Sequence, residues 1–136
     1  METAYIGAFA DGEFRFHLPM ARLVAAEREA DCSIFELFQN LGEHLGAIAD
    51  EMVLAGPSPA RLRQCHALIR NALIGGGCDE VEAKELIATY CYPARPAIHD
   101  MALAWSILKA AIYGVELKKK AEGAETDDPS VSPKAG

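Results

Sequence analysis

The 136-residue sequence predicts a mainly α fold with an N-terminal β-hairpin, an α+β domain built as a small bundle of about five helices. Three observations carry this. A short alternating aromatic segment is split by Asp11-Gly12, apolar residues then recur at helical three- and four-residue steps, and glycine and proline punctuate the chain between those stretches.

The hairpin is read over residues 4–18. Asp11-Gly12 is a favoured two-residue turn, which places Ala10 opposite Glu13, Phe9 opposite Phe14, Gly7 opposite Phe16 and Tyr5 opposite Leu18. One face is then aromatic and the other, with Ile6, Ala8, Arg15 and His17, is mixed. A lone hairpin is marginal in water, so the aromatic face must lie on helices or be joined by strands of another chain.

Pro19 suits a first helical position, and a short helix follows from Met20 until Asp31-Cys32-Ser33 breaks it. Ile34, Leu37, Phe38, Leu41, Leu45, Ile48 and Met52 form the stripe of a second helix, which Gly42 or Gly46 bends or interrupts. Gly56-Pro57-Ser58-Pro59 reads as a stop and a new start, with Ser58 as cap and Pro59 opening a third helix that runs to Ile74. Its stripe is Leu62, Cys65, Leu68, Ile69, Ala72 and Leu73, and Gly75-Gly76-Gly77 ends it. Asp79 to Glu82 reads as a capping box for a fourth helix ending near Tyr90. A fifth is expected from Ala97 to Tyr113, stopped by Gly114. One domain therefore spans residues 1–115, and 116–136 is an aperiodic charged tail read as disordered.

The fifth helix is apolar around most of its circumference. Its polar residues His99, Ser106 and Lys109 share one narrow sector, and Leu103 and Ile107 fall outside an ordinary core-facing stripe. Either the helix is the central one of the bundle, or this face is a docking or self-association surface.

Composition narrows the function. The chain carries a formal net charge of −7, and residues 1–115 hold nine Lys and Arg against fifteen Asp and Glu. An acidic body repels phosphate, so nucleic-acid binding is not expected. The most apolar window, Ile98 to Leu117, is interrupted by His99, Asp100, Lys109 and Glu116, which excludes it as a membrane span. Four isolated cysteines without a C-x-x-C pair, and no secretory signal, point to a reducing cytoplasmic setting.

No catalytic constellation is legible. Cys65 and His66 are the best nucleophile–base pair, yet adjacent helical residues point about 100° apart. His17, His44, His66 and His99 are scattered, so a metal site would have to be assembled wholly by tertiary contact, and neither metal nor cofactor is expected. The triple glycine follows a helix and precedes Asp79-Glu80, the wrong context for a phosphate loop. The chain is read as a non-enzyme that binds other proteins.

The run Leu68-Ile69-Arg70-Asn71-Ala72-Leu73-Ile74-Gly75-Gly76-Gly77, an acidic helix start, and then Ala102 to Gly114 with Trp105 at its centre resemble the tail-assembly-chaperone-like family of gene transfer agents and related siphophages. The resemblance covers roughly residues 4–114, with a longer connection over 42–59. It implies a non-catalytic chaperone in the cytoplasm of the bacterial host that binds the tape measure protein and helps recruit tail tube protein. The alternative is a structural tube or connector component of the particle, in which the hairpin joins a sheet across subunits. Such families often make a longer frameshifted form, and Lys118-Lys119-Lys120 is either a slippery stretch or a solvated tail. The expected protein-binding residues are Leu103, Ile107 and Trp105 on the last helix and Phe14 and Phe16 on the hairpin.

Overall fold

The computed structural model describes residues 2–49 and 61–115. Two antiparallel strands, β1 (Tyr5–Phe9) and β2 (Gly12–Phe16), are followed by α1 (Met20–Ala30), α2 (Ile34–Ala49), α3 (Leu62–Gly75), α4 (Glu80–Tyr90) and α5 (Ala97–Tyr113). The residues expected to cap and open the third helix, Ser58 and Pro59, lie outside the described residues, as do Met52 and the 116–136 tail.

The hairpin forms, but its turn sits one residue earlier than the Asp-Gly signal indicates. Phe9 pairs with Gly12, Ala8 with Glu13, Gly7 with Phe14, Ile6 with Arg15 and Tyr5 with Phe16. Ala10 takes the positive φ of 56°, a conformation that costs a residue with a Cβ about 1–2 kcal/mol. Moving a two-residue turn by one position slides the pairing by two, so every side chain keeps its face. What fixes the slide is tertiary: the His17 N–H donates to the Ala72 carbonyl at 2.9 Å, and Phe16 is sealed against Tyr5 and Phe9, with ring centroids at 6.1 and 5.9 Å. Burying a phenylalanine in this way contributes about 1.5–3 kcal/mol, enough to offset the strained turn.

Helix starts and stops follow local chemistry. Pro19, extended at φ −61°, precedes α1, and Asp31 in the left-handed conformation ends it. The Glu27 carboxylate accepts the Ile34 N–H at 2.9 Å and Ser33 Oγ accepts that of Glu36 at 3.0 Å, so two free amides at the start of α2 are satisfied. This helix is continuous through Gly42 and Gly46. Tertiary packing overrides the local penalty at Gly42, where the Trp105 indole lies 3.2 Å from where a Cβ would stand. The third helix begins at Leu62, because Arg61 is extended (φ −106°, ψ 143°) and its N–H is taken by the Gln64 side chain at 2.9 Å. Asp79 caps α4 by accepting the Val81 N–H at 3.1 Å.

The triple glycine does more than end a helix. A Cβ on Gly75 would overlap the His17 carbonyl, and one on Gly76 would overlap the Arg15 carbonyl. The end of α3 and the backbone of β2 therefore touch without side chains between them. Gly77, at φ 121°, supplies the left-handed turn into α4.

The core is continuous from the hairpin (Phe9, Phe16) through α2 (Leu37, Leu41), α3 (Leu68, Ile69, Leu73) and α5 (Ala104, Ile107, Leu108). The helix with the most neighbours is α3, which packs on α1, α4, α5 and β2, while α5 lies against α2, α3 and β1. This corrects the reading of Leu103 and Ile107 as a free docking face. They are 8% and 1% exposed, because three elements cover α5 and its wide apolar surface serves all of them.

Candidate functional site

Of the other expected binding residues, Phe16 is fully buried, while Phe14 and Trp105 are half-buried. Phe14 meets Phe9 edge-on at 5.9 Å. Trp105 stacks on Phe38 at 5.6 Å and 11°, joining α5 to α2, with the Lys109 ammonium 5.2 Å from its ring centre. The structure thus assigns Leu103, Ile107 and Phe16 to packing, and it does not bring the five residues together as one surface.

The open surface of the hairpin lies elsewhere. Among the described residues β1 pairs with β2 alone. The far side of β2 is closed by α3, through the His17 to Ala72 hydrogen bond and the glycine contacts at Arg15 and His17. Among the described residues, the far side of β1 has no strand beside it. Its sequence Tyr5-Ile6-Gly7-Ala8-Phe9 contains no charge and no proline, and Ile6 is 60% exposed. Sheet edges in isolated domains are ordinarily guarded by charge, proline or a bulge, and this one has none of them.

A polar cluster fastens α1 to α3. Asn71, fully buried, donates to the Ala67 carbonyl at 2.9 Å and to Glu29 at 3.3 Å, and it accepts from Arg22 at 3.2 Å. Arg70 pairs with the same Glu29. Arg63 and Gln64 donate to the Glu29 and Ala30 carbonyls at 2.8 and 2.9 Å, satisfying the last turn of α1. Arg63 and Arg70 are thereby engaged by partners within the fold.

A second cluster is built around Asp100, in the first turn of α5 and with its side chain fully buried. Its Oδ1 accepts from Arg95 Nε at 2.6 Å, and its Oδ2 lies 2.8 Å from both the Tyr92 N–H and His66 Nε2. Burial opposes ionisation here, yet the hydrogen bonds from Tyr92, His66 and Arg95, with the Arg95 charge, outweigh it and hold the carboxyl below its ordinary value. Arg95 also lies over the Phe9 ring at 5.4 Å. Beside this group stands Cys91, and the ligating atoms of His66, Cys91 and Asp100 all lie within 4.8 Å of one another. Burial first, and then the Asp100 carboxylate, push the Cys91 thiol up to about 12, and the same two causes push Cys65 to about 12. Both are therefore protonated at neutral pH and poorly nucleophilic. His66 thus meets Asp100 and Cys91, not the adjacent Cys65.

A family model described as "Phage tail tube protein, GTA-gp10" matches residues 5–114. The chain belongs to this phage tail family. The comparisons with curated proteins and with solved structures give no match. The family's description names a tail tube protein where the resemblance in the sequence implied an assembly chaperone, so what stands is a phage or gene-transfer-agent tail protein. In this tail protein the matched span runs from the first residue of β1 to the residue after α5, enclosing the hairpin and both polar clusters. None of its described helices is long and apolar enough to cross a membrane.

The Asp100 cluster was not legible beforehand. Its one signal is an aspartate in the first turn of the chain's most apolar helix, three residues after Ala97 and followed by Met101, Leu103 and Ala104. A carboxylate at such a position must find partners, but the sequence does not say that they come from α3 and from the Cys91–Arg95 connector.

Proposed function

We propose that this protein is a non-catalytic structural subunit of a phage-like tail tube, and that it joins neighbouring copies by pairing the open edge of β1. The family match over residues 5–114 is the observation that carries the tail assignment. The unguarded, uncharged edge supports the mode of association, since an exposed strand adds a neighbour through main-chain hydrogen bonds that any extended partner can supply. Self-pairing suits a strand without charges to repel its own copy.

Mass spectrometry of purified particles tests the role directly: many copies per particle are expected, and absence from particles overturns it. A second variant addresses the edge. Ile6→Lys places a charge on an exposed position of β1, so it should leave monomer stability within about 0.5 kcal/mol while reducing incorporation into particles. Unchanged incorporation removes the edge-pairing mode.

Exposed apolar residues on the helices favour a second reading. Met20 and Val24, one turn apart on α1, and Phe35 on α2 are open to solvent, and such positions suit an apolar helical client. In this reading the protein is an assembly chaperone in the cytoplasm of the bacterial host that holds the tape measure protein and presents it to tube subunits. Co-purification with the tape measure protein, together with absence from finished particles, would select it.

A further inference from the structure

We propose that His66 Nε2, Cys91 Sγ and Asp100 Oδ2 form a binding site for one zinc-class transition-metal ion per chain. The argument starts from the donor set. Imidazole nitrogen, thiolate sulfur and carboxylate oxygen are the three ligand types that divalent zinc accepts, and three protein ligands with an open fourth position are a common arrangement. One ligating atom from each residue already lies within 4.8 Å of the other two although they come from α3, the connector and α5. Bonds of about 2.0–2.3 Å in a tetrahedral site place ligand atoms roughly 3.2–3.8 Å apart. The 2.8 Å separation of His66 Nε2 and Asp100 Oδ2 therefore needs to open by only about half an ångström.

The surroundings fit a held ligand set. Arg95 occupies Oδ1, leaving Oδ2 toward His66, and the Tyr92 N–H orients that oxygen, as outer partners of metal-bound carboxylates do. Cys91 and Asp100 are buried, whereas the His66 side chain is 23% exposed and lines an open groove with Arg63, Ala67, Arg70, Lys84 and Ile87. Metal and a fourth, water ligand would enter from that side. On binding, the Cys91 thiol gives its proton to solvent and the metal–sulfur bond forms, so uptake releases acid. The Arg95 guanidinium, paired through Oδ1, is the opposing charge in contact with the carboxylate; of the cations in the groove, Arg63 and Arg70 are held by Glu29, and Lys84 also lines it. The site stands independently of the tail-assembly reading.

The test is a titration of the full-length, chelator-treated protein with Co2+, whose thiolate-to-metal band in the near ultraviolet reports sulfur ligation, followed by displacement with Zn2+. One equivalent per chain is expected, with the band lost in Cys91→Ser and His66→Gln and kept in Cys78→Ser, which alters a cysteine outside the cluster. A wild-type protein that shows no saturable band overturns the proposal whatever the variants do. A band that survives Cys91→Ser in protein whose thermal unfolding is retained overturns it as well.

Discussion

Replacing Gly76 by alanine separates two physical effects that act in opposite directions. Gly76 has ordinary right-handed dihedrals, φ −84° and ψ −6°, at the end of α3. Helix propensity alone then predicts that alanine stabilises the protein, by up to about 1 kcal/mol. The tertiary contact predicts the reverse, since the new Cβ would overlap the Arg15 carbonyl, a backbone atom that cannot rotate aside. Relief requires β2 to lift from α3, which weakens the His17 to Ala72 hydrogen bond and loosens Phe16, a side chain with no exposed surface. A lost hydrogen bond costs about 1 kcal/mol and overpacking of this kind about 1–3 kcal/mol. With the propensity gain subtracted, a net loss of about 2 kcal/mol is expected, or on the order of 5–15 °C in Tm for a domain of this size. Urea and thermal unfolding measure it, with Gly12→Ala as control because nothing lies within 4 Å of its added Cβ. If Gly76→Ala is as stable as wild type or more so, the close approach of β2 to α3 is wrong and the glycine run is only a helix stop.

Three further outcomes are expected. Asp100→Asn leaves Arg95 and His66 without their buried anionic partner, and urea unfolding of the metal-free protein should show a loss of about 3 kcal/mol; a loss under about 1 kcal/mol would mean that the carboxylate is not needed ionised. Because the Asp100 carboxyl is held below its ordinary 3.8, its contribution is present above about pH 4 and is lost as pH falls through the lowered folded value. Wild-type stability should accordingly drop more steeply than that of Asp100→Asn in acid unfolding followed below pH 4. Ile107→Glu puts a charge at a position 1% exposed, so circular dichroism should show a chain unfolded or nearly so, and a folded Ile107→Glu protein would restore that residue to the surface.

What was legible in the sequence is what short-range chemistry dictates. The helices of α1, α2, α4 and α5 declare themselves through period and punctuation, since Pro19, Ser33, Asp79 and Gly114 act on neighbours a few residues away. The hairpin's existence was legible for the same reason, but not its register. Asp11-Gly12 is the better local turn, and it gave way because α3 holds β2 at His17, more than fifty residues distant in sequence. Leu103 and Ile107 were misplaced by a related gap: a helical wheel shows how wide an apolar face is, not how many neighbours share it. Asn71 and Asp100 went unread because a polar residue in a core is explained by its partners, and Arg22, Glu29, His66 and Arg95 are scattered along the chain. Cys91 and His66 have no motif spacing at all, so only folding reveals them as neighbours.

Glu2 and Val115 form an antiparallel bridge, each N–H donating to the other's carbonyl at 3.0 and 2.7 Å. The polypeptide continuing beyond Val115 therefore departs from the same end of the molecule at which the hairpin begins. Anything attached directly at Val115 is tethered within a few residues' reach of β1, at an effective concentration that a free molecule would match only at roughly millimolar levels. A fusion placed there would crowd the strand edge before any neighbouring copy arrived. In the proposed edge-pairing mode, the choice of attachment point thus decides whether a labelled protein can still assemble.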